Sequence, residues 1–62
     1  MLTQYDKDHI GEIVNGQGTW FTARLIRLIC YADQENLWKL GHVYPDEVKA
    51  VMDWKHGGSH AS

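Results

Sequence analysis

The segment that most constrains the fold is WFTARLIRLICYA, from Trp20 to Ala32, because apolar side chains cover most of its circumference when it is drawn as a helix. Five of them follow the helical period and four others widen the stripe: Phe21, Leu25, Leu28, Ile29 and Ala32, then Trp20, Ala23, Ile26 and Cys30. A helix with so wide an apolar surface belongs in the middle of a packing arrangement. We therefore expect this segment to be the central helix of an all-α domain.

A shorter helix is predicted before this central one. Thr3 can cap its first turn with a hydroxyl oxygen, and Asn15 and Gly16 supply a left-handed stop. Three apolar residues fall on one face by i, i+3, i+4 spacing: Ile10, Ile13 and Val14. After the flexible linker GQG, Thr19 is the predicted N-cap of the central helix.

Two further helices are predicted after the central one. Asp33 can cap the third helix and Gly41 is predicted to end it, which leaves residues 42–44 as a connector. Pro45 suits the first position of a helix because that position needs no backbone N–H donor, and the fourth helix is predicted to run to His56. Such short links between helices are typical of a compact bundle.

Together these patterns predict an all-α fold, a compact bundle of three to four short helices with the second helix central. We expect a single helical domain over residues 1–56 and a flexible C-terminal tail over residues 57–62, because the tail sequence GGSHAS is small and polar. The central helix carries more apolar surface than such small neighbours can readily cover. We therefore expect contact with a second molecule, with a homodimer among the options.

The charge balance argues against a dedicated nucleic-acid binder. Six lysines and arginines stand against eight aspartates and glutamates, a formal net charge of −2, whereas nucleic-acid-binding domains carry a clear positive excess. No apolar run approaches the length of a membrane span, and the N-terminal residues lack the pattern of a secretory signal. We therefore expect a cytoplasmic protein that makes no membrane contact.

The residue pattern does not predict a cofactor, a metal site or catalysis. Cys30 is the only cysteine, so an intramolecular disulfide cannot form. The four histidines and Cys30 are scattered along the sequence, which is poor metal-ligand spacing for zinc: His9, His42, His56 and His60. Because nothing in the sequence places an activating base beside Cys30, the chain is not predicted to be an enzyme.

The candidate contact residues lie on the polar strip of the central helix and among the nearby tryptophans. Arg24, Arg27 and Tyr31 share one face by i, i+3, i+7 spacing, and the arginine fork suits an acidic partner or a phosphate. Exposed tryptophans commonly anchor protein partners. The predicted partner-binding residues are therefore Trp20, Arg24, Arg27, Tyr31 and Trp38.

Simpler structural roles remain open for these residues. The arginines can form a solvated face paired with Asp33 or Glu35. Large aromatic side chains contribute most to a small core, so all three tryptophans can fill it: Trp20, Trp38 and Trp54.

The alternative function is a small nucleic-acid-binding module that uses Arg24, Arg27 and Lys39. It predicts a steep loss of affinity with added salt. A helix-turn-helix mode is disfavoured, because the helix in the reading position would begin with Asp46 and Glu47, two carboxylates that would face phosphates and base edges.

The segments GQGTWFTARLIRLICYAD and VYPDEVKAVMDW resemble small uncharacterised proteins encoded by tailed bacteriophages. The resemblance covers about residues 9–54 and rests largely on core and capping residues. It implies a phage or prophage origin and expression in a bacterial cytoplasm. Small phage proteins without catalytic machinery often bind a host enzyme or defence complex. The resemblance therefore implies a non-catalytic module that binds and modulates a host protein, for example as an inhibitor.

Overall fold

Five α-helices make up the part of the chain that the computed structural model describes, residues 2–57. They are α1 (Gln4–Asp8), α2 (Ile10–Val14), α3 (Phe21–Tyr31), α4 (Gln34–Val43) and α5 (Pro45–Lys55). No strand occurs within these residues, so the predicted all-α class is confirmed. The expected count of three to four helices is not confirmed, because the first predicted helix is divided into α1 and α2.

The hydrophobic core forms where α2, α3 and α5 meet. Seven apolar side chains are buried in it: Ile10, Ile13, Ala23, Leu25, Ile26, Ile29 and Val51. Burial stabilises the fold by about 1.5–3 kcal/mol for each of the larger of these side chains. Helix α5 packs against α2, α3 and α4, so it shares the central position that the sequence assigns to α3 alone, and that assignment is not confirmed.

The break between α1 and α2 lies at His9, whose backbone (φ −121°, ψ 24°) departs from helical values. Its N–H is shared between the carbonyl oxygens of Tyr5 and Asp6, a pattern common at helix ends. Gly11 lowers the helical preference of this stretch by about 1 kcal/mol relative to alanine. A continuous helix through His9 is therefore less favourable, which makes the break easier. The prediction of one continuous helix up to Asn15 is therefore wrong, although Thr3 caps α1 as predicted.

Helices α2 and α5 approach each other at Gly11. The indole of Trp54 lies against this glycine, and a Cβ placed on Gly11 would come 3.6 Å from Trp54 Nε1. The same two helices also contribute the buried side chains of Ile13 and Val51 to the core. Trp54 thus packs against α2 while part of its indole stays exposed.

The chain turns between α2 and α3 with the help of Gly16 and Gly18. Their φ values of 115° and 98° lie in the left-handed region, which residues with a side chain rarely adopt. Helix α3 then begins with Trp20 in the N-cap position, so the prediction that Thr19 caps it is wrong. Thr19 instead offers its carbonyl oxygen to Arg24 Nε, at 3.0 Å.

Helix α4 begins as the sequence predicts but ends later. Asp33 is confirmed as its N-cap, because Oδ1 accepts a hydrogen bond from the Asn36 N–H at 2.8 Å. Gly41 does not end the helix, which continues two residues further. Tyr44 alone therefore links α4 to α5, in place of the predicted connector over residues 42–44.

Helix α5 starts at Pro45 as predicted, and His56 is its C-cap. Gly57 follows with a φ of 86°, a common conformation just past a helix end. The remainder of the predicted tail, residues 58–62, lies outside the described residues. Among the helices of residues 2–57, none has the length and apolar character needed to cross a membrane.

Candidate interaction surface

A groove of about 520 Å³ opens between the C-terminal end of α3 and helix α4. It forms because α4 takes its main packing from α5, which leaves space beside α3. The apolar part of the groove is formed by Leu28, Tyr31, Ala32, Leu40 and Val43. Its polar part is formed by Asp33, Asn36 and Lys39, all on or next to α4.

Three of the apolar side chains in the groove are largely exposed. The exposed fraction is 54% for Leu28, 87% for Tyr31 and 69% for Val43. Single exposed apolar residues are normal, but residues that gather on one concave surface mark contact sites. Of the three, only Tyr31 is among the predicted contact residues. Leu28 lies in the apolar stripe of the sequence, whereas Val43 falls in the segment predicted to be a connector.

Two of the polar groups of the groove, those of Asp33 and Lys39, make few interactions with the rest of the protein. Asp33 uses one carboxylate oxygen, Oδ1, for the helix cap. Lys39 Nζ lies 3.3 Å from Glu35 Oε2 in an ion pair whose two side chains are both mostly exposed. Such pairs contribute little to stability, so Lys39 can exchange this partner for another at small cost.

Helix α4 has no fully buried residue, although it carries four large apolar side chains. Leu37 and Leu40 are half-buried against the core, whereas Trp38 is 68% exposed. At 100° per residue, Trp38 lies on the far side of α4 from the groove residues Asn36 and Leu40. Its ring packs edge-on against His42, with 4.3 Å between the ring centroids.

The opposite end of α3 is organised around the buried carboxylate of Asp6. Its Oδ2 accepts hydrogen bonds from the Thr3 N–H and hydroxyl, each at 3.0 Å, and its Oδ1 accepts one from Trp20 Nε1 at 2.9 Å. Burial by itself raises the pKa of the Asp6 carboxyl, but the hydrogen bonds from Thr3 and Trp20 outweigh it and hold that pKa below its ordinary value. Trp20 is thereby fixed against α1.

Arg27 is bound to the linker between α2 and α3. Its guanidinium donates to the carbonyl oxygens of Ile13 at 2.8 Å, Gln17 at 3.0 Å and Gly18 at 2.7 Å. These bonds satisfy the last carbonyls of α2 and the linker, which have no helical partner of their own. The side chain that the sequence assigns to partner contact thus has a structural role, and its free donors are few.

Arg24 makes a single hydrogen bond, to the Thr19 carbonyl oxygen, and lies exposed on the outer face of α3. Both arginines bond to backbone carbonyls, so the alternative in which they pair with Asp33 or Glu35 is wrong for the described chain. The alternative in which every tryptophan fills the core is also wrong. All three indoles are partly exposed: Trp20, Trp38 and Trp54.

The structure does not bring the five predicted contact residues into one cluster. At 1.5 Å per residue along α3, Tyr31 at its C-terminal end lies about 16 Å from Trp20 and about 10 Å from Arg24. Trp38 lies on the far side of α4. Tyr31 alone lines the groove, so the groove and the surface around Trp38 are separate candidate sites.

No second site of reactive or metal-binding groups accompanies the groove within residues 2–57. Burial raises the pKa of the half-buried Cys30 thiol, with Lys55 opposing the effect, so the thiol is a poor nucleophile. No three of the His, Cys, Asp and Glu side chains in this part of the chain lie close enough to hold a metal ion.

Comparison of the chain with protein-family models, with curated proteins and with solved structures finds no match.

Proposed function

We propose that this chain is a small non-catalytic protein–protein interaction module, which binds and modulates another protein through exposed side chains of α3 and α4. The observation that carries the proposal is the lack of any buried residue in α4. A ten-residue helix is not stable alone in water, so α4 depends on α5 for its structure. Its other faces then remain free to contact a partner.

Trp38 is the proposed anchor of the partner contact. A tryptophan that is largely exposed on a helix offers a large apolar area with few rotatable bonds, the usual character of a hot-spot residue. Trp20 and Arg24 near the N-terminal end of α3 are proposed as a second contact area, and Tyr31 is the proposed contact within the groove. Arg27 supports this surface indirectly, because it fixes the linker that precedes α3.

The nucleic-acid alternative receives less support. It needs several free cationic groups on one face, yet Arg27 is bound to three carbonyl oxygens and Lys39 lies in an ion pair with Glu35. Arg24 is then the main cation left of the proposed set, and the net charge of −2 disfavours a phosphate partner.

The resemblance to small tailed-phage proteins directs the proposal for origin and partner. We propose that the chain is encoded by a phage or prophage, acts in the bacterial cytoplasm, and binds a host protein stoichiometrically, for example as an inhibitor.

The test is affinity capture from a bacterial lysate with three purified baits: the wild type, Trp38→Ala with Arg24→Glu, and the control Lys49→Glu. Lys49 lies in an exposed pair with Asp53 on α5, away from the proposed contacts. We expect at least one host protein to bind the wild type and the control, and to be reduced about tenfold or more on the double variant.

Arg27 is left unchanged in the baits, because its loss would disturb the fold and give a false positive. Circular dichroism of each bait checks that its helices remain intact. If the double variant recovers the same proteins in the same amounts as the wild type, the proposed contact surface is wrong.

A further inference from the structure

The groove between α3 and α4 has a charge pattern that complements itself. Asp33, the N-cap of α4, lies three residues before Asn36, and Lys39 lies three residues after it on the helix. At 100° per residue both lie within about 60° of Asn36 around the helix, so all three face the groove. If two such helices lie antiparallel and cross at Asn36, each acidic residue comes level with the lysine of the other helix.

Apolar side chains line the same surface. Leu40 lies four residues after Asn36 on α4, whereas Ala32, the C-cap of α3, lines the groove from outside that helix. Val43 lies on the same side of α4 and is mostly exposed. Covering these side chains removes apolar area from water, which favours association.

We propose that the groove binds a second copy of this chain, with the two α4 helices antiparallel across a two-fold axis at Asn36. Each α4 lies in the groove of the other copy, where Leu28 and Tyr31 of α3 cover it. The inference rests on the proposed function, since it makes the groove the self-association part of the interaction module. It leaves Trp38, on the far side of α4, available for a host protein.

Self-complementarity favours a second copy over an unrelated helix. A closed two-fold dimer needs one surface whose charges match themselves after rotation, and the Asp33, Asn36 and Lys39 arrangement has this property. A groove for an unrelated partner has no such requirement. The lightly held pair between Lys39 and Glu35 lets the lysine turn to Asp33 of the second copy.

The test is sedimentation equilibrium of the full chain from about 10 µM to about 1 mM, the range in which a small and partly polar interface is measured. We expect the wild type to convert from monomer to dimer over this range. Val43→Glu, at a mostly exposed position, is expected to weaken the dimer at least about tenfold without loss of helix content.

Two charge variants test the geometry. Lys39→Glu puts like charges opposite each other and is expected to weaken the dimer, whereas Lys49→Glu removes the matching exposed pair of α5 and is expected to leave it unchanged. Adding Asp33→Asn to Lys39→Glu keeps a residue that can cap α4 but removes the repulsion, so part of the dimer is expected to return.

Each outcome decides the proposal. A wild-type chain that stays monomeric at about 1 mM overturns it. Equal weakening by Lys39→Glu and Lys49→Glu also overturns it, because the charge effect would then be general. A monomeric wild type that loses captured proteins on Val43→Glu assigns the groove to another protein instead. The proposed function is judged by Trp38 and Arg24, so it can survive the failure of the dimer.

Discussion

The two ends of α3 differ in how their side chains are used. Charged groups are hydrogen-bonded near one end, and apolar groups are exposed near the other. At the N-terminal end, the carboxylate of Asp6 accepts hydrogen bonds from Thr3 and Trp20. The guanidinium of Arg27 reaches back to the linker and donates to its carbonyl oxygens. At the C-terminal end, Leu28 and Tyr31 face an open groove. The charged groups at the N-terminal end stabilise the fold through hydrogen bonds, whereas the apolar groups at the C-terminal end remain exposed to solvent.

This difference separates residues that serve the fold from residues that can serve a partner. A charged side chain that satisfies several backbone groups cannot leave them without loss of stability. An exposed apolar side chain gains stability only when another molecule covers it. Substitutions at the first end should therefore change unfolding, and substitutions at the second end should change association.

The largest expected effect is that of Arg27→Ala. It removes three hydrogen bonds to carbonyl oxygens at the end of α2 and in the linker, so we expect the free energy of unfolding to fall by about 2–4 kcal/mol. Urea unfolding followed by circular dichroism measures it. The matched control Arg24→Ala loses one exposed bond and should change stability by about 0.5 kcal/mol or less. Equal effects of the two variants would show that the three bonds of Arg27 to carbonyl oxygens do not stabilise the fold more than the one bond of Arg24.

The next effect compares glycine-to-alanine substitution in the linker before α3, at Gly18, with the same substitution inside α4, at Gly41. A Cβ on Gly18 would lie 2.7 Å from the Trp20 ring and 3.0 Å from the Ala23 Cβ, at a φ of 98°. The Trp20 ring cannot yield without straining its bond to Asp6, so Gly18→Ala should destabilise by about 1–3 kcal/mol.

Gly41→Ala provides the opposite case, because no atom lies within 4 Å of the added Cβ and the residue is inside α4. It should stabilise the chain by up to about 1 kcal/mol, as alanine favours a helix more than glycine. Thermal unfolding of both variants checks the signs. A destabilised Gly41→Ala would mean that α4 is more tightly packed than its exposure indicates.

The last effect, which depends on pH, is the loss of the Asp6 carboxylate. Asp6→Ala removes the capping box of α1 and should cost about 1–2 kcal/mol at neutral pH. Because the folded-state pKa lies below the ordinary value of 3.8, the unfolded chain binds the proton more readily, and the carboxylate stabilises the fold above about pH 4. This contribution is lost as the pH falls through the folded-state pKa.

Urea unfolding of the wild type and Asp6→Ala between about pH 2 and pH 7 measures this dependence. The difference in stability between the two proteins should shrink below about pH 4. A difference that stays constant across the whole range would show that the ionised form of Asp6 is not the stabilising one.

Local rules in the sequence predicted the parts of the fold that depend on neighbouring residues. Asp33 as a cap, Pro45 as a first helical residue and Gly57 beyond the last helix all follow from one turn of backbone. The same rules failed at Thr19 and Gly41. There the helix ends are set by contacts with other parts of the chain, since the Thr19 carbonyl binds Arg24 and α4 continues along α5.

The candidate site was predictable only in outline. The wide apolar stripe of α3 indicated uncovered surface, and Tyr31 is indeed exposed. The role of Arg27 could not be read from spacing, because the carbonyls that it binds reach it only when the linker folds back over α3. The groove could not be predicted from the sequence for a similar reason. Val43 lines it only because α4 runs past Gly41.

The placement of the three tryptophans gives this chain a built-in set of optical probes. Trp20 donates its indole N–H to a carboxylate, Trp54 rests on Gly11, and Trp38 lies in solvent beside His42. Their fluorescence should therefore differ in emission maximum and in accessibility to a soluble quencher. We expect Trp38 to emit at the longest wavelength and to be quenched most easily. Variants that retain a single tryptophan would let fluorescence follow three places separately: the Asp6 contact, the contact between α2 and α5, and α4.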